Sequence, residues 1–146
     1  MRDYRNIQAW QLADDMTVAV YESSRLFPRE ENYGLTSQLR RAAYSVPANI
    51  AEGSARESLK DYLHFLYIAR ASLTETPYFV HLSRRLKYLE STDHDALMNA
   101  VKKTFRCLHG LVKAVEKEAN PLQRIAARAT SWCILFTGGA LLSKGL

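Results

Sequence analysis

The sequence predicts an all-α protein, an antiparallel up-down-up-down four-helix bundle with a C-terminal tail outside the bundle, and three observations carry that prediction. Apolar residues recur at steps of three and four through most of the first 118 residues, and the alternation of a strand appears nowhere over a useful length. The breaks between these stretches are short, which favours antiparallel neighbours. The chain has 146 residues, 47% hydrophobic and 24% charged. That is enough for one continuous core, and it is not the composition of a disordered chain.

The elements follow in order. Asn6 is expected to cap a first helix striped by Trp10, Ala13, Thr17, Val20 and Ser24, which Phe27-Pro28-Arg29-Glu30-Glu31-Asn32 then breaks. A second helix carries Leu35, Leu39, Ala42, Ala43, Val46 and Ile50 on one face. Gly53 is its expected stop, being able to take the left-handed conformation after a helix. Two serines compete to open the third helix: Ser54-x-x-Glu57 fits a capping box, and Ser58-x-x-Asp61 is a weaker version. Its stripe runs through Leu59, Tyr62, Leu66, Ala69 and Leu73 to Val80 and Leu89. Thr92-x-x-Asp95 offers the cap of a fourth helix, whose Leu97, Val101, Thr104, Leu108, Leu111 and Val115 make a heptad-like seam.

Pro47 and Pro77 interrupt this pattern, each denying an N–H to the carbonyl four residues back, Ala43 and Leu73 respectively. The apolar stripes continue past both without changing phase, so both read as kinks inside long helices, with a true break at Pro77 as the alternative. Asn120-Pro121 is a stop. Residues 1–118 are thus expected to form the bundle and 119–146 a tail, with a short extra helix around 123–136 as its alternative content and Gly138-Gly139 limiting it. From Ala119 onward the chain has three basic residues (Arg124, Arg128 and Lys144) and no acidic one.

No signal peptide is expected before the first helix. The longest uncharged run, Ala129 to Ser143, falls short of the ~20 apolar residues of a membrane-spanning helix, so a cytoplasmic protein is expected. Cys107 and Cys133 have no metal or redox spacing and read as reduced thiols, with a single disulfide as the alternative. A di-iron bundle needs two Glu-x-x-His pairs; this chain has one near match, Asp61-x-x-His64. No zinc motif, phosphate-binding glycine loop or nucleophile elbow is present. We therefore expect no catalytic residues, no metal and no cofactor.

The net charge is +5, and it is unevenly spread: residues 33–90 hold eight basic and five acidic residues, residues 1–32 four and six. Arg40, Arg41, Arg56 and Lys60, the cluster Arg84-Arg85-x-Lys87, and Lys102-Lys103-x-x-Arg106 are the candidate phosphate contacts. Stacking platforms of aromatic residues are not evident, so phosphates would carry any RNA affinity. A second pattern is a polar stripe: Arg41, Ser45, Asn49, Glu52 and Arg56 step by four, four, three and four along the face away from Val46 and Ile50. It reads either as a solvated face or as a network against another helix or subunit, with Glu75 as a partner for the arginines.

The run Tyr33-Gly-Leu-x-x-Gln38-Leu-Arg-Arg-Ala-Ala-x-Ser45-Val-Pro-Ala-Asn-Ile-Ala-Glu-Gly53 resembles the signature of a bacterial four-helix-bundle family encoded by intervening sequences in 23S ribosomal RNA genes. Tyr62-x-x-Phe65-Leu-x-Ile68-Ala-Arg-Ala-Ser72-Leu-x-Glu75, Arg85-Leu-x-Tyr88-Leu, Trp10-Gln-x-Ala13 and Phe27-Pro28 extend the resemblance over about residues 4 to 118. It implies a ring-like homopentamer. It also implies a relation to the accessory protein of diversity-generating retroelements, which works with a reverse transcriptase and RNA. Pro77 departs from the family pattern, which usually has a helix-forming residue there, and the tail matches nothing in it. The first functional expectation is therefore a non-enzymatic oligomeric bundle associated with RNA. The second is a protein–protein scaffold or accessory subunit, for example of a reverse transcriptase, and the third an enzyme or metal protein.

Overall fold

The computed structural model describes residues 2–120, and these are all helix and connection, with no strand among them. Four helices make the bundle: α1 (Gln8–Ser23), α2 (Leu35–Ser54), α3 (Leu59–Arg85) and α4 (Ser91–Ala119). Each packs on its neighbours in sequence, and α4 closes the ring against α1. Cross-helix contacts show the directions. Arg2 donates its N–H to Ser54 at one end of the α1/α2 seam, while Arg40 reaches Ser24 at the other. On the α2/α3 seam Arg41 meets Glu75 and Ser45 meets Ser72. Tyr67 meets Glu116 across α3 and α4, and Thr104 meets Leu12 across α4 and α1. On the α1/α2 and α2/α3 seams one residue number rises as the other falls.

The apolar stripes supply the core. Ala13, Met16 and Val20 of α1, Leu39, Val46 and Ile50 of α2, Leu66, Leu73 and Val80 of α3, and Leu97, Leu108 and Val112 of α4 are all buried in one cluster. Burying one such Leu or Val side chain is worth about 1.5–3 kcal/mol. The expected residue sets are met closely on α2, whereas on α1 the periodicity places Met16 inside and leaves Trp10 and Thr17 only partly buried.

Neither proline ends its helix; Pro47 lies inside α2 and Pro77 inside α3. Their surroundings differ. The Thr17 hydroxyl sits 2.8 Å from the Ala13 carbonyl and 3.1 Å from the Ala43 carbonyl. Its single proton thus lies between its own helix and the carbonyl that Pro47 leaves without a donor. No side chain among the described residues does this for Leu73, the carbonyl four residues before Pro77.

Several helix ends differ from expectation. Asn6 does not cap α1; it belongs to a 3-10 turn, Tyr4–Asn6, capped by Asp3, whose carboxylate accepts from the Arg5 N–H at 3.0 Å. Ser58, not Ser54, opens α3 and accepts from the Asp61 N–H at 3.0 Å. Thr92 lies inside α4, whose N-cap is Glu90 with no side-chain cap. Gly53 is no left-handed stop, since no described glycine has a positive φ. It is instead where α2 and α3 touch: a Cβ there would meet the Phe65 Cβ at 2.8 Å and Tyr62 Cδ2 at 3.0 Å.

The one described non-glycine residue with positive φ is Lys87, at 63°. The Lys87 N–H donates to the Arg84 carbonyl and the Tyr88 N–H to that of Ser83, a Schellman ending for α3 with lysine where glycine is usual. The tail expected from 119 onward lies, past Asn120, outside the described residues.

Candidate functional site

A groove in the described surface lies between α3 and α4. Leu73, Thr74 and Pro77 of α3 form one wall, and Met98, Val101, Lys102, Phe105 and Arg106 of α4 the other, around a groove of about 590 Å³. The helix spacing that sends Leu66, Leu73 and Val80 inward turns Tyr67, Thr74 and Tyr78 outward beside it. The floor is apolar, the rim carries two cations, and no acidic residue lines it.

Toward the C-terminal end of α4 this face closes. Tyr67 donates its hydroxyl proton to Glu116 at 2.9 Å, Lys113 donates to the same carboxylate at 2.9 Å, and the Arg70 guanidinium lies 4.9 Å over the Tyr67 ring. Lys113, then Tyr67, hold the Glu116 carboxyl below its ordinary range, and the bond to Glu116 raises the Tyr67 phenol above its own. Tyr67, Tyr78 and Phe105 are 39%, 61% and 40% exposed, so the face does present aromatic rings between its cations. Sequence reasoning missed them. The available signal was their spacing, one helix face away from the core stripe.

The ten basic candidates do not converge. Four are engaged within the molecule. Arg40 donates to the Ser24 hydroxyl at 2.8 Å and lies over the Tyr21 ring at 4.8 Å. Arg41 pairs with Glu75 at 3.3 Å. Arg56 pairs with Glu52 one turn earlier and covers the Phe65 ring. Arg84 bonds the Leu89 carbonyl and the Ser91 hydroxyl, tying the α3–α4 connection together. Lys60, Arg85, Lys87, Lys102, Lys103 and Arg106 have no side-chain partner among the described residues. Of these, Lys102 and Arg106 share the groove, Lys103 faces the α1 side with Leu12 and Asp15, and Arg85 and Lys87 lie at the α3 terminus. Lys60 lies in the first turn of α3, at the other end of that helix.

The polar stripe of α2 is a seam against α3. Ser45 accepts from Ser72 at 3.0 Å, and Asn49 donates to the Ser45 carbonyl at 2.7 Å and its hydroxyl at 3.0 Å. The expected Glu75 partnership forms, with Arg41. Glu52 and Arg56 end the stripe in solvent, so it is a network at its centre and a solvated face at its end.

Asp61 and His64 are not joined: Asp61 accepts from the Ser58 hydroxyl at 2.6 Å, and His64 packs on the Phe65 ring. Among the described residues no three His, Cys, Asp or Glu side chains are grouped to hold a metal ion. Cys107 is half-buried, and that burial raises its thiol above the ordinary range. No described helix is long and apolar enough to cross a membrane.

The model of the 23S rRNA-intervening sequence protein family matches residues 5–110. The chain belongs to that family. The family's matched span takes in all of α1, α2 and α3 and most of α4, including both walls of the groove. A solved structure, a protein of unknown function from the S23 ribosomal protein family of Bacteroides thetaiotaomicron, is similar with a TM-score of 0.66 and 22% identity. The likeness covers 72% of this chain and 95% of that one, and it shows the fold alone. No curated protein matches the chain.

Proposed function

We propose that the protein is a non-enzymatic, homo-oligomeric bundle, pentameric by family resemblance, that associates with RNA through its α3/α4 face. One observation carries this reading. Lys102 and Arg106, free of side-chain partners among the described residues, flank a groove with no acidic lining beside the exposed rings of Tyr78 and Phe105. Unpaired cations neutralise phosphates, and exposed rings stack on unpaired bases. The family's tie to 23S rRNA genes supports the same reading. Subunit multiplication would repeat the face around a ring.

A second reading is a protein scaffold or accessory subunit, for example of a reverse transcriptase. It is favoured by Leu26 and Tyr33, 89% and 98% exposed on the connection between α1 and α2. Leu26 serves neither a phosphate contact nor a base stack, and it suits a protein partner.

Filter binding of the full chain to structured and unstructured RNA at several salt concentrations separates the readings. Phosphate contacts give a log–log salt slope of about −0.7 per phosphate neutralised on single strands. No binding at low salt, or binding indifferent to salt, removes the RNA reading and leaves the scaffold in front. Light scattering behind a sizing column reads the assembly, and a monomer mass at micromolar concentration removes the ring.

A further inference from the structure

The α3/α4 groove presents apolar surface of Pro77, Met98 and Phe105 that a phosphate contact does not use. Helix α4 stops at Ala119: Asn120 is extended, with φ −88° and ψ 110°, and Pro121 follows. Proline there prevents the helix from simply continuing. Beyond a leash at 120–131 comes Trp132-Cys-Ile-Leu-Phe-Thr-Gly-Gly-Ala-Leu-Leu142, eleven residues without a charge. Left in water, such a run exposes apolar surface with nothing to cover it.

From this we infer that Trp132–Leu142 seats in the α3/α4 groove of its own chain. Reach permits it. The groove centre at Lys102 lies 17 residues back along α4 from Ala119, about 26 Å at 1.5 Å per residue. Twelve leash residues span up to ~40 Å extended, and about 19 Å root-mean-square as a flexible coil. Chemistry matches as well. The segment is uncharged and apolar, and so is the floor, so no charge has to be desolvated on either side. A cis arrangement follows from the leash, which holds the segment at an effective concentration of order mM. This segment lies beyond the family's matched residues 5–110, so it is a property of this chain and does not rest on the RNA reading.

Tryptophan fluorescence of the full chain tests it. The chain has two tryptophans, and Trp10→Phe leaves Trp132 as sole reporter. The expected result is blue-shifted Trp132 emission, protected from acrylamide and independent of protein concentration. Phe105→Glu on one wall, and separately Thr74→Glu on the other, is expected to shift emission to the red and raise quenching several-fold, while circular dichroism stays that of the folded bundle. Both side chains are exposed, so if one variant misfolds the other still reports. Solvent-like emission in the starting protein, or protection that survives both substitutions, overturns the proposal. So does protection that grows with concentration. Inside a stable ring a second copy could supply the groove, so the Phe105→Glu chain is also refolded with excess chain lacking both tryptophans but keeping Phe105. Regained protection would place the segment in a neighbour's groove and overturn the cis assignment; none is expected.

Discussion

The α2/α3 and α3/α4 seams share a helix and are built in opposite ways. Gly53 lets α2 and α3 approach until no Cβ fits, and Ser45, Ser72, Asn49, Arg41 and Glu75 satisfy one another along the contact. Across α3 from that seam, Pro77 faces α4 over an open apolar groove, with Lys102 and Arg106 left unpaired. The same contrast holds for the two prolines. Pro47 is buried and its orphaned carbonyl is served by Thr17, whereas Pro77 is half-buried and lies in the groove wall. A bundle this small spends its complementary residues on itself along one seam, and what remains unmatched on the other is the surface available to something else.

The contrast can be broken first at the prolines. Pro77→Ala is expected to stabilise the bundle by about 2 kcal/mol, short of the full ~3 kcal/mol helix-interior difference because ring contacts are lost. Pro47→Ala, which empties buried space in a turn where Thr17 already donates to the Ala43 carbonyl, is expected to be near neutral. Urea unfolding of both decides, and equal effects would mean that the two sites are not different in kind.

Gly53→Ala should cost about 1 kcal/mol in the same assay. The overpacking penalty of about 1–3 kcal/mol outweighs alanine's better helix propensity of about 1 kcal/mol. A stabilised variant would show that α2 and α3 can move apart freely.

Smaller effects belong to the closed end of the α3/α4 face. Glu116 titrates below its ordinary range when folded, so its contribution is present above the unfolded carboxyl value near 4.3 and is lost as pH falls through the folded value. Tyr67 is raised, so its contribution is complete below about pH 10 and is lost as pH rises through the folded value. Tyr67→Phe should therefore lower stability near neutrality, where both contributions are present, and flatten the profile at both edges. A profile unchanged in acid and in alkali would show that the bond carries no linkage.

The apolar stripes made the fold legible, because each is set by many side chains at once and a single misplaced residue does not move it. The passage of α2 and α3 through their prolines was legible for the same reason. Helix ends were not, since each turns on one or two residues: α1 follows Ile7, which makes no side-chain cap, and Ser58 displaced Ser54. Gly53 was singled out for the wrong property, its backbone freedom, when its missing side chain was what mattered. The arginines were the least legible. Glu75 was read as an acid for the arginines and meets Arg41, but Arg40 finds its hydroxyl 16 residues away on Ser24, so basic clusters in sequence do not reveal which charges are already engaged. Lys102 and Arg106 stand out only once the acids around them are placed.

On the proposed reading, RNA is met by the unpaired cations of the α3/α4 face and not by the paired arginines of α2. Filter binding across a salt series should compare Lys102→Ala/Arg106→Ala with Arg41→Ala/Arg56→Ala, all four being exposed positions where substitution usually changes stability by no more than about 0.5 kcal/mol. The first pair is expected to lower affinity at low salt and flatten the log–log slope by about 0.7 per lost phosphate contact on single strands, while the second pair leaves both unchanged. Equal losses from the two pairs, or a loss from the α2 pair alone, would contradict it.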